Sequence, residues 1–272
     1  MSDSVPKELD EYFAGADVEP NAIQEDDGIS NLLLPADSEQ SPVLSIVMPT
    51  LNEEEGIFIC IEKIKSAIIE LDITAEIIIS DSSTDRTPAI AKELDAIVVN
   101  PDRMGYGYAY RYAFEQARGE YIVIGDADVT YDFESIPSLL EPARNGDADL
   151  VIGSRLDGTI EPGAMPLLHE HVGNPLLTWM LNSLYRTDIS DAHSGFRVLT
   201  RDALDQLDLS SDGMEFASEM LMQAARENLR VEEVPIVYHE RRGDATLHSL
   251  RDGWRHVKYM IVNAPEYYFS RL

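Results

Sequence analysis

The sequence predicts an α/β fold, a mainly parallel central sheet flanked by helices, and two observations carry that prediction. From Val43 onward, β-branched apolar runs alternate with segments whose apolar residues recur at helical spacing, joined by short connections. Such strand-helix repetition implies right-handed crossovers and parallel strands. Three of the runs also stop at an acidic segment: VLSIVMPTLNEEEG at 43–56, IIISDSSTDRT at 77–87 and YIVIGDADVT at 121–130. That order places Glu53, Asp81, Asp126 and Asp128 at the carboxyl ends of neighbouring strands, where open α/β sheets bind ligands.

Each element follows from its own pattern. After the first strand, Ile57, Ile61, Ile64, Ile68 and Leu71 recur at steps of four and three, the apolar face of a helix lying on the sheet. A second strand over 75–80 leads through DSSTDRT into a helix near 87–94. The third covers 96–99, and a glycine loop at 103–107 opens a helix near 108–118. The fourth, 120–125, ends at Asp126-Ala-Asp128, and a helix over 133–144 separates it from the fifth, 148–153. After Arg155 the alternation breaks into a loop, a helix near 172–185, the segment DAHSGFR at 191–197 and a helix near 214–228. The strand VEEVPIVYHE at 231–240 precedes a C-terminal helix. The predicted organisation is an acidic, flexible arm over 1–42, one α/β domain over 43–240, and an amphipathic helix within 241–272.

Charge narrows the function classes. Fifty Asp+Glu against 21 Lys+Arg give a formal net charge of -29, which disfavours nucleic acid as a partner because phosphates would be repelled. An excess of this size, spread along the chain, fits a cytoplasmic protein keeping a solvated anionic surface in concentrated salt, as in a halophilic archaeon. The single cysteine, Cys60, lies among isoleucines and reads as a small buried apolar residue. It can form no internal disulfide, so a reducing compartment fits. No signal peptide and no run of about 18 apolar residues is visible, so the chain is expected to be soluble or peripheral.

Among the motifs, GYGYAY at 105–110 has Tyr110 where a dinucleotide loop needs its third glycine, which disfavours a nicotinamide enzyme. His169-Glu170-His171 lacks the i, i+4 spacing of a helical zinc pair and reads as a polar loop. Asp126 and Asp128, at i and i+2 in a strand-exit loop, supply two hard oxygen ligands that can hold Mg²⁺ or Mn²⁺ against a diphosphate. Any one carboxylate could be a helix cap. Four at successive strand exits point instead to a nucleotide-sugar enzyme.

The segments PTLNEEEG, DSSTDRT, GDADVT, DAHSGFR and RRGDATL, in this order, resemble family 2 glycosyltransferases of the dolichyl-phosphate mannose/glucose synthase type over residues 43–262. The resemblance implies a Rossmann-like GT-A fold, a nucleotide-diphosphate sugar donor (GDP- or UDP-hexose), a divalent cation, inversion at the anomeric carbon and a polyprenyl (dolichyl) phosphate acceptor. By position it implies that Pro49, Thr50, Glu53, Asp81, Ser82, Gly105, Asp126 and Arg155 line the nucleotide-sugar pocket. Asp126 and Asp128 would hold metal, and Asp191 and Arg197 would join them as catalytic residues. Ser194, Arg197 and Arg241 would meet the acceptor or its phosphate. Two positions depart from the pattern: Thr130 stands where relatives often carry Gln, and RRGDATL lacks the lysine of R-x-G-x-S-K-L.

A lipid phosphate is already anionic near neutrality and requires no strong general base. A hydroxyl acceptor would require one, and Asp191 or Glu219 would be the candidates. A catalytically silent nucleotide-sugar-binding module, or transfer to a polysaccharide hydroxyl, are the competing readings. In the C-terminal helix, Leu250, Trp254, Val257 and Ile261 make an apolar stripe beside Arg251, Arg255 and Lys258, a pattern that predicts docking at a membrane surface.

Overall fold

The structure, a computed structural model, describes residues 28–243 and 249–264, with side chains from 253 onward in the second stretch. The expected acidic arm lies outside the described residues as far as 27, as do 244–248 of the RRGDATL region. The strands are β1 (Leu44–Thr50), β2 (Ala75–Asp81), β3 (Ile97–Val99), β4 (Tyr121–Ile124), β5 (Leu150–Ile160), β6 (Arg197–Thr200) and β7 (Val231–Tyr238). The helices are α1 (Ile29–Leu32), α2 (Ile57–Leu71), α3 (Thr87–Glu93), α4 (Tyr106–Phe114), α5 (Ile136–Arg144), α6 (Asn174–Tyr185), α7 (Arg201–Gln206), α8 (Phe216–Arg226) and α9 (Ser249–Val262).

One seven-stranded sheet runs in the order β3-β2-β1-β4-β6-β5-β7. β1 pairs in parallel with β2 and β4, β2 with β3, and β5 with β7. β6 alone is antiparallel, to both β4 and β5. The prediction of a mainly parallel sheet holds, and the sequence reading lacked β6 and the short helices α1 and α7.

Both faces of the sheet are covered, and strand alternation divides the side chains between them. Ile46, Met48, Ile77, Ile79, Val123 and Val198 pack under α2, α3 and α5. Val47, Ile78, Ile122, Ile124 and Ile152 pack against α4, α6 and α8. Ile57, Ile61, Ile64 and Ile68 are fully enclosed or nearly so, confirming the predicted face of α2. Burial of each such side chain contributes about 1.5–3 kcal/mol.

The stretch from 28 to 42 is fitted to the amino end of the sheet. Leu34 N–H donates to the Ala75 carbonyl at 2.8 Å, and Arg118 donates to the carbonyls of Ser38 and Pro35 at 2.8 and 2.9 Å. Arg118 is itself held by the buried carboxylate of Glu76 at 2.7 Å.

Candidate active site

Register brings the acidic segments together. Thr50 at the end of β1 lies opposite Asp81 at the end of β2, and its hydroxyl donates to Asp81 Oδ1 at 2.8 Å. The Ser82 N–H donates to the Thr50 carbonyl at 3.0 Å, so Pro49, Thr50, Asp81 and Ser82 form one continuous wall. Opposite it, β4 ends at Ile124, and the chain turns through Gly125, Asp126, Ala127 and Asp128. Val129 sits at φ +71°, a strained conformation for a β-branched residue that clusters at functional turns. Gly56 makes that turn fit, because a Cβ there would lie 2.5 Å from the Ala127 carbonyl oxygen.

The two aspartates face different partners. Asp128 is buried and accepts at Oδ1 from the Thr130 N–H at 3.1 Å and hydroxyl at 2.5 Å. Thr130, which stands where a Gln was expected, thus orients a carboxylate. Asp126 Oδ1 accepts from the Tyr106 hydroxyl at 3.0 Å. Burial, and then the charge of Asp128, push the Asp126 carboxyl up to about 7.

Arg241 reaches this cluster because the chain leaving β7 runs beside the DADVT turn. His239 N–H donates to the Thr130 carbonyl at 2.9 Å and Arg242 N–H to that of Asp128 at 3.0 Å. The Arg241 guanidinium then spans Asp128 Oδ2 at 2.7 Å and Glu53 Oε1 at 2.5 Å. The expected contact of Arg241 with a phosphate is therefore replaced here by two carboxylates. Burial lifts the Glu53 carboxyl to about 7 against the pull of Arg241, and its Oε2 is enclosed without a hydrogen-bond partner.

These residues fit a divalent cation. The guanidinium already occupies a cation's place between Asp128 and Glu53, and a divalent ion would relieve the mutual repulsion that raises Asp126. No group of three or more His, Cys, Asp or Glu side chains able to hold a metal is found among the described residues. Two carboxylates completed by substrate phosphate oxygens suit Mg²⁺ or Mn²⁺ better than a dedicated protein cage.

Near Asp126, Arg155 and Asp191 form a buried two-pronged pair, Nε to Oδ2 at 2.7 Å and Nη2 to Oδ1 at 2.8 Å. Burial alone would raise the Asp191 carboxyl, but Arg155 holds it below the usual range. The Tyr238 ring lies 5.2 Å from the guanidinium, and Glu233 accepts from the Asp191 N–H at 2.9 Å.

Four expectations meet a different geometry. Arg197 is 1% exposed, and its guanidinium donates to the carbonyls of Ser194, Ala217 and Ala192 at 2.9, 3.0 and 3.0 Å. A guanidinium so filled has no face to offer an acceptor, so Arg197 holds the DAHSGFR loop in shape. Gly105, expected beside the nucleotide, has its backbone pressed on the Asp212 carbonyl, where a Cβ would come within 2.4 Å. Glu219 accepts from Ser210, Ser211 and Tyr259 and braces α8 against α9. Ser194 is fully buried, with its hydroxyl unpartnered.

Sequence reasoning missed Tyr106, Tyr131 and Gly195. The Gly195 N–H donates to the Tyr131 hydroxyl at 2.7 Å. A Cβ on Gly195 would lie 3.0 Å from Asp126 Oδ2 and 3.2 Å from the Tyr106 hydroxyl. Gly195→Ala is thus expected to displace Asp126, lowering kcat at least tenfold with little change in melting temperature. Circular dichroism and steady-state kinetics check it, and unchanged kcat would show that Asp126 tolerates the shift.

Comparison with known proteins gives the family. Residues 45–208 match the model described as glycosyl transferase family 2. The chain belongs to that family. A low-salt glycan biosynthesis hexosyltransferase, Agl6, of Haloferax volcanii is 61% identical over 239 residues, 88% of this chain and 58% of that protein. The family 2 chain thus spans a little over half the length of that relative. A dolichyl-phosphate hexose transferase of the same organism is 31% identical, covering 77% of this chain and 89% of the relative. Among solved structures, glucosyl-3-phosphoglycerate synthase from Mycobacterium tuberculosis, crystallised with Mn²⁺, UDP and glucosyl-3-phosphoglycerate, superposes with a TM-score of 0.67 at 23% identity. It covers 82% of this chain and 80% of its own. That likeness bears on the fold, which is the expected GT-A arrangement. The acidic composition likewise fits the halophilic archaeal source of the relatives.

Proposed function

We propose that the chain is an inverting, metal-dependent hexosyltransferase. It moves a hexose from a UDP- or GDP-linked donor to a polyprenyl (dolichyl) phosphate, or to a dolichol-linked glycan, in glycan assembly for protein N-glycosylation. The observation that carries this reading is the convergence of Glu53, Asp126, Asp128 and Arg241 at the strand ends, with the Arg155–Asp191 pair near Asp126. Two relatives named for hexose transfer, one to dolichyl phosphate, support the choice of sugar class and acceptor.

Asp126 and Asp128 would hold the cation, which when bound supplies Lewis-acid stabilisation of the leaving diphosphate worth several kcal/mol. Thr50, Asp81 and Ser82 form the wall for the nucleoside. Arg241, which bridges Asp128 and Glu53, would become a donor to phosphate oxygens once a cation took over those carboxylates. Asp191 and Glu219, the candidate bases for a hydroxyl acceptor, are both committed to internal partners. That commitment favours an acceptor that arrives already anionic. Such an acceptor places the reaction at the cytoplasmic face of a membrane. No helix among the described residues is long and apolar enough to cross one.

The test is transfer from a panel of labelled UDP- and GDP-hexoses to dolichyl phosphate with Mn²⁺ or Mg²⁺. A lipid-linked product that disappears with chelator is expected. Product on a glycan hydroxyl alone would overturn the acceptor assignment, and donor binding without any transfer would identify a silent module.

A further inference from the structure

GYGYAY at 105–110, one glycine short of a dinucleotide loop, opens α4. Gly107 lets that helix lie tight on the chain before α8, since a Cβ there would come within 2.4 Å of the Ser211 carbonyl oxygen. The Tyr110 ring stacks on Phe216 at 5.3 Å, and the Tyr106 ring lies edge to face against Tyr110 at 5.1 Å. Positions 106 and 110 are one helical turn apart and share a face, and both hydroxyls reach the turn after β4. Tyr110 donates to the Gly125 carbonyl at 3.1 Å, and Tyr106 to Asp126 Oδ1 at 3.0 Å.

Asp128 is held in the same manner. Its Oδ1 accepts from the Thr130 hydroxyl at 2.5 Å and N–H at 3.1 Å. Each carboxylate therefore has one oxygen engaged by a hydroxyl and presents the other. Asp126 Oδ2 lies against the bare backbone of Gly195, where a Cβ would stand 3.0 Å away. Asp128 Oδ2 receives Arg241 Nη1 at 2.7 Å, a guanidinium in a cation's place. Cations differ in what they require of such a pair. Ca²⁺ takes about six to eight oxygens at about 2.3–2.6 Å, often both oxygens of one carboxylate. Mg²⁺ takes an octahedral set at about 2.0–2.1 Å, drawn from one or two carboxylates, phosphate and water. Two-oxygen capture of the larger ion would require Oδ1 to leave its hydroxyl or to share it.

We propose that Tyr106 and Thr130 are positioning residues that hold each aspartate to a single ligating oxygen, and so select a small octahedral cation, Mg²⁺ or Mn²⁺, over Ca²⁺. Such selectivity presupposes the metal-dependent transfer proposed for this site, and the two are separable by experiment. Tyr106→Phe keeps the ring and its aromatic neighbours, and Thr130→Val keeps the shape of the side chain and the N–H bond to Asp128.

Binding of Mn²⁺ is read from the electron paramagnetic resonance signal of the free ion, with UDP or GDP present in concentrated KCl. Mg²⁺ or Ca²⁺ is then added as competitor. The wild type is expected to release Mn²⁺ to Mg²⁺ at concentrations roughly tenfold below those needed of Ca²⁺. Tyr106→Phe and Thr130→Val should each narrow that gap by roughly threefold or more, on the scale of one hydrogen bond to a charged group. Thr130→Ser keeps the hydroxyl and should keep the gap. Tyr110→Phe loses a bond to a main-chain carbonyl and none to a carboxylate, so it should lower the melting temperature and leave the gap unchanged. Stability alone would thus move without the ratio. Ca²⁺ competing as well as Mg²⁺ in the wild type would overturn the selectivity and leave metal dependence in place. An unaltered gap in Tyr106→Phe or in Thr130→Val would strike that residue from the role. No Mn²⁺ bound with either nucleotide would overturn both readings.

Discussion

Asp128→Asn is expected to leave the fold intact and to lower turnover by a hundredfold or more, on the order of several kcal/mol in the barrier. The amide keeps the shape of the carboxylate and an oxygen for the Thr130 N–H and hydroxyl, both of which bind Oδ1. What it loses is charge at Oδ2, the atom that Arg241 contacts at 2.7 Å. A diphosphate entering this site would then face one aspartate, Glu53 and a weakened cation site. The far-ultraviolet circular dichroism spectrum should match the wild type, while titration with Mn²⁺ should show a large loss of affinity. Turnover within about threefold of wild type, small beside the effect expected of metal catalysis, would remove Asp128 from this role.

The largest effect on stability is expected at Arg197. Arg197→Leu leaves the carbonyls of Ala192 and Ser194 without this donor in a closed interior and takes a second donor from the Ala217 carbonyl in α8. An unsatisfied buried polar group costs about 1–3 kcal/mol, so two amount to a large share of the roughly 5–15 kcal/mol that holds a domain. Urea denaturation should show a midpoint displaced far to lower concentration. Arg197→Lys, which can still donate to some of the carbonyls, should recover part of the loss. Donor affinity per folded molecule should change little. A normal midpoint with abolished transfer would return Arg197 to the acceptor site.

The fold was legible where burial on two faces writes continuous apolar runs, as in IVM at 46–48 and III at 77–79. β6 escaped because it has four residues and starts with an arginine, a residue that rarely reads as core. The carboxylates of the site were legible because strand ends in a parallel sheet fall in sequence order. Their partners were not. Arg241 lies 188 residues from Glu53 and 113 from Asp128, and only the pairing of the chain after β7 with the DADVT turn joins them. Gly195 gave no signal, since its importance is the closeness of Asp126 and not any property of its own. The HEH segment reads as polar in sequence, yet the residues around it, Leu167, Leu168 and Val172, make the surface apolar.

Cations are scarce in this chain, and the fold places many of them inward. Arg118, Arg155, Arg197, Arg201, Arg241 and Arg255 all grip carboxylates or main-chain oxygens at 2.5–3.1 Å. The outer shell is left with a large excess of anions, like charges pressing outward on the domain they coat. Concentrated electrolyte screens those mutual repulsions over a few ångströms but has no access to short contacts made in the interior. Salt therefore relaxes the shell without loosening the clamps, so the same medium that would dissolve a surface-bridged protein tightens this one.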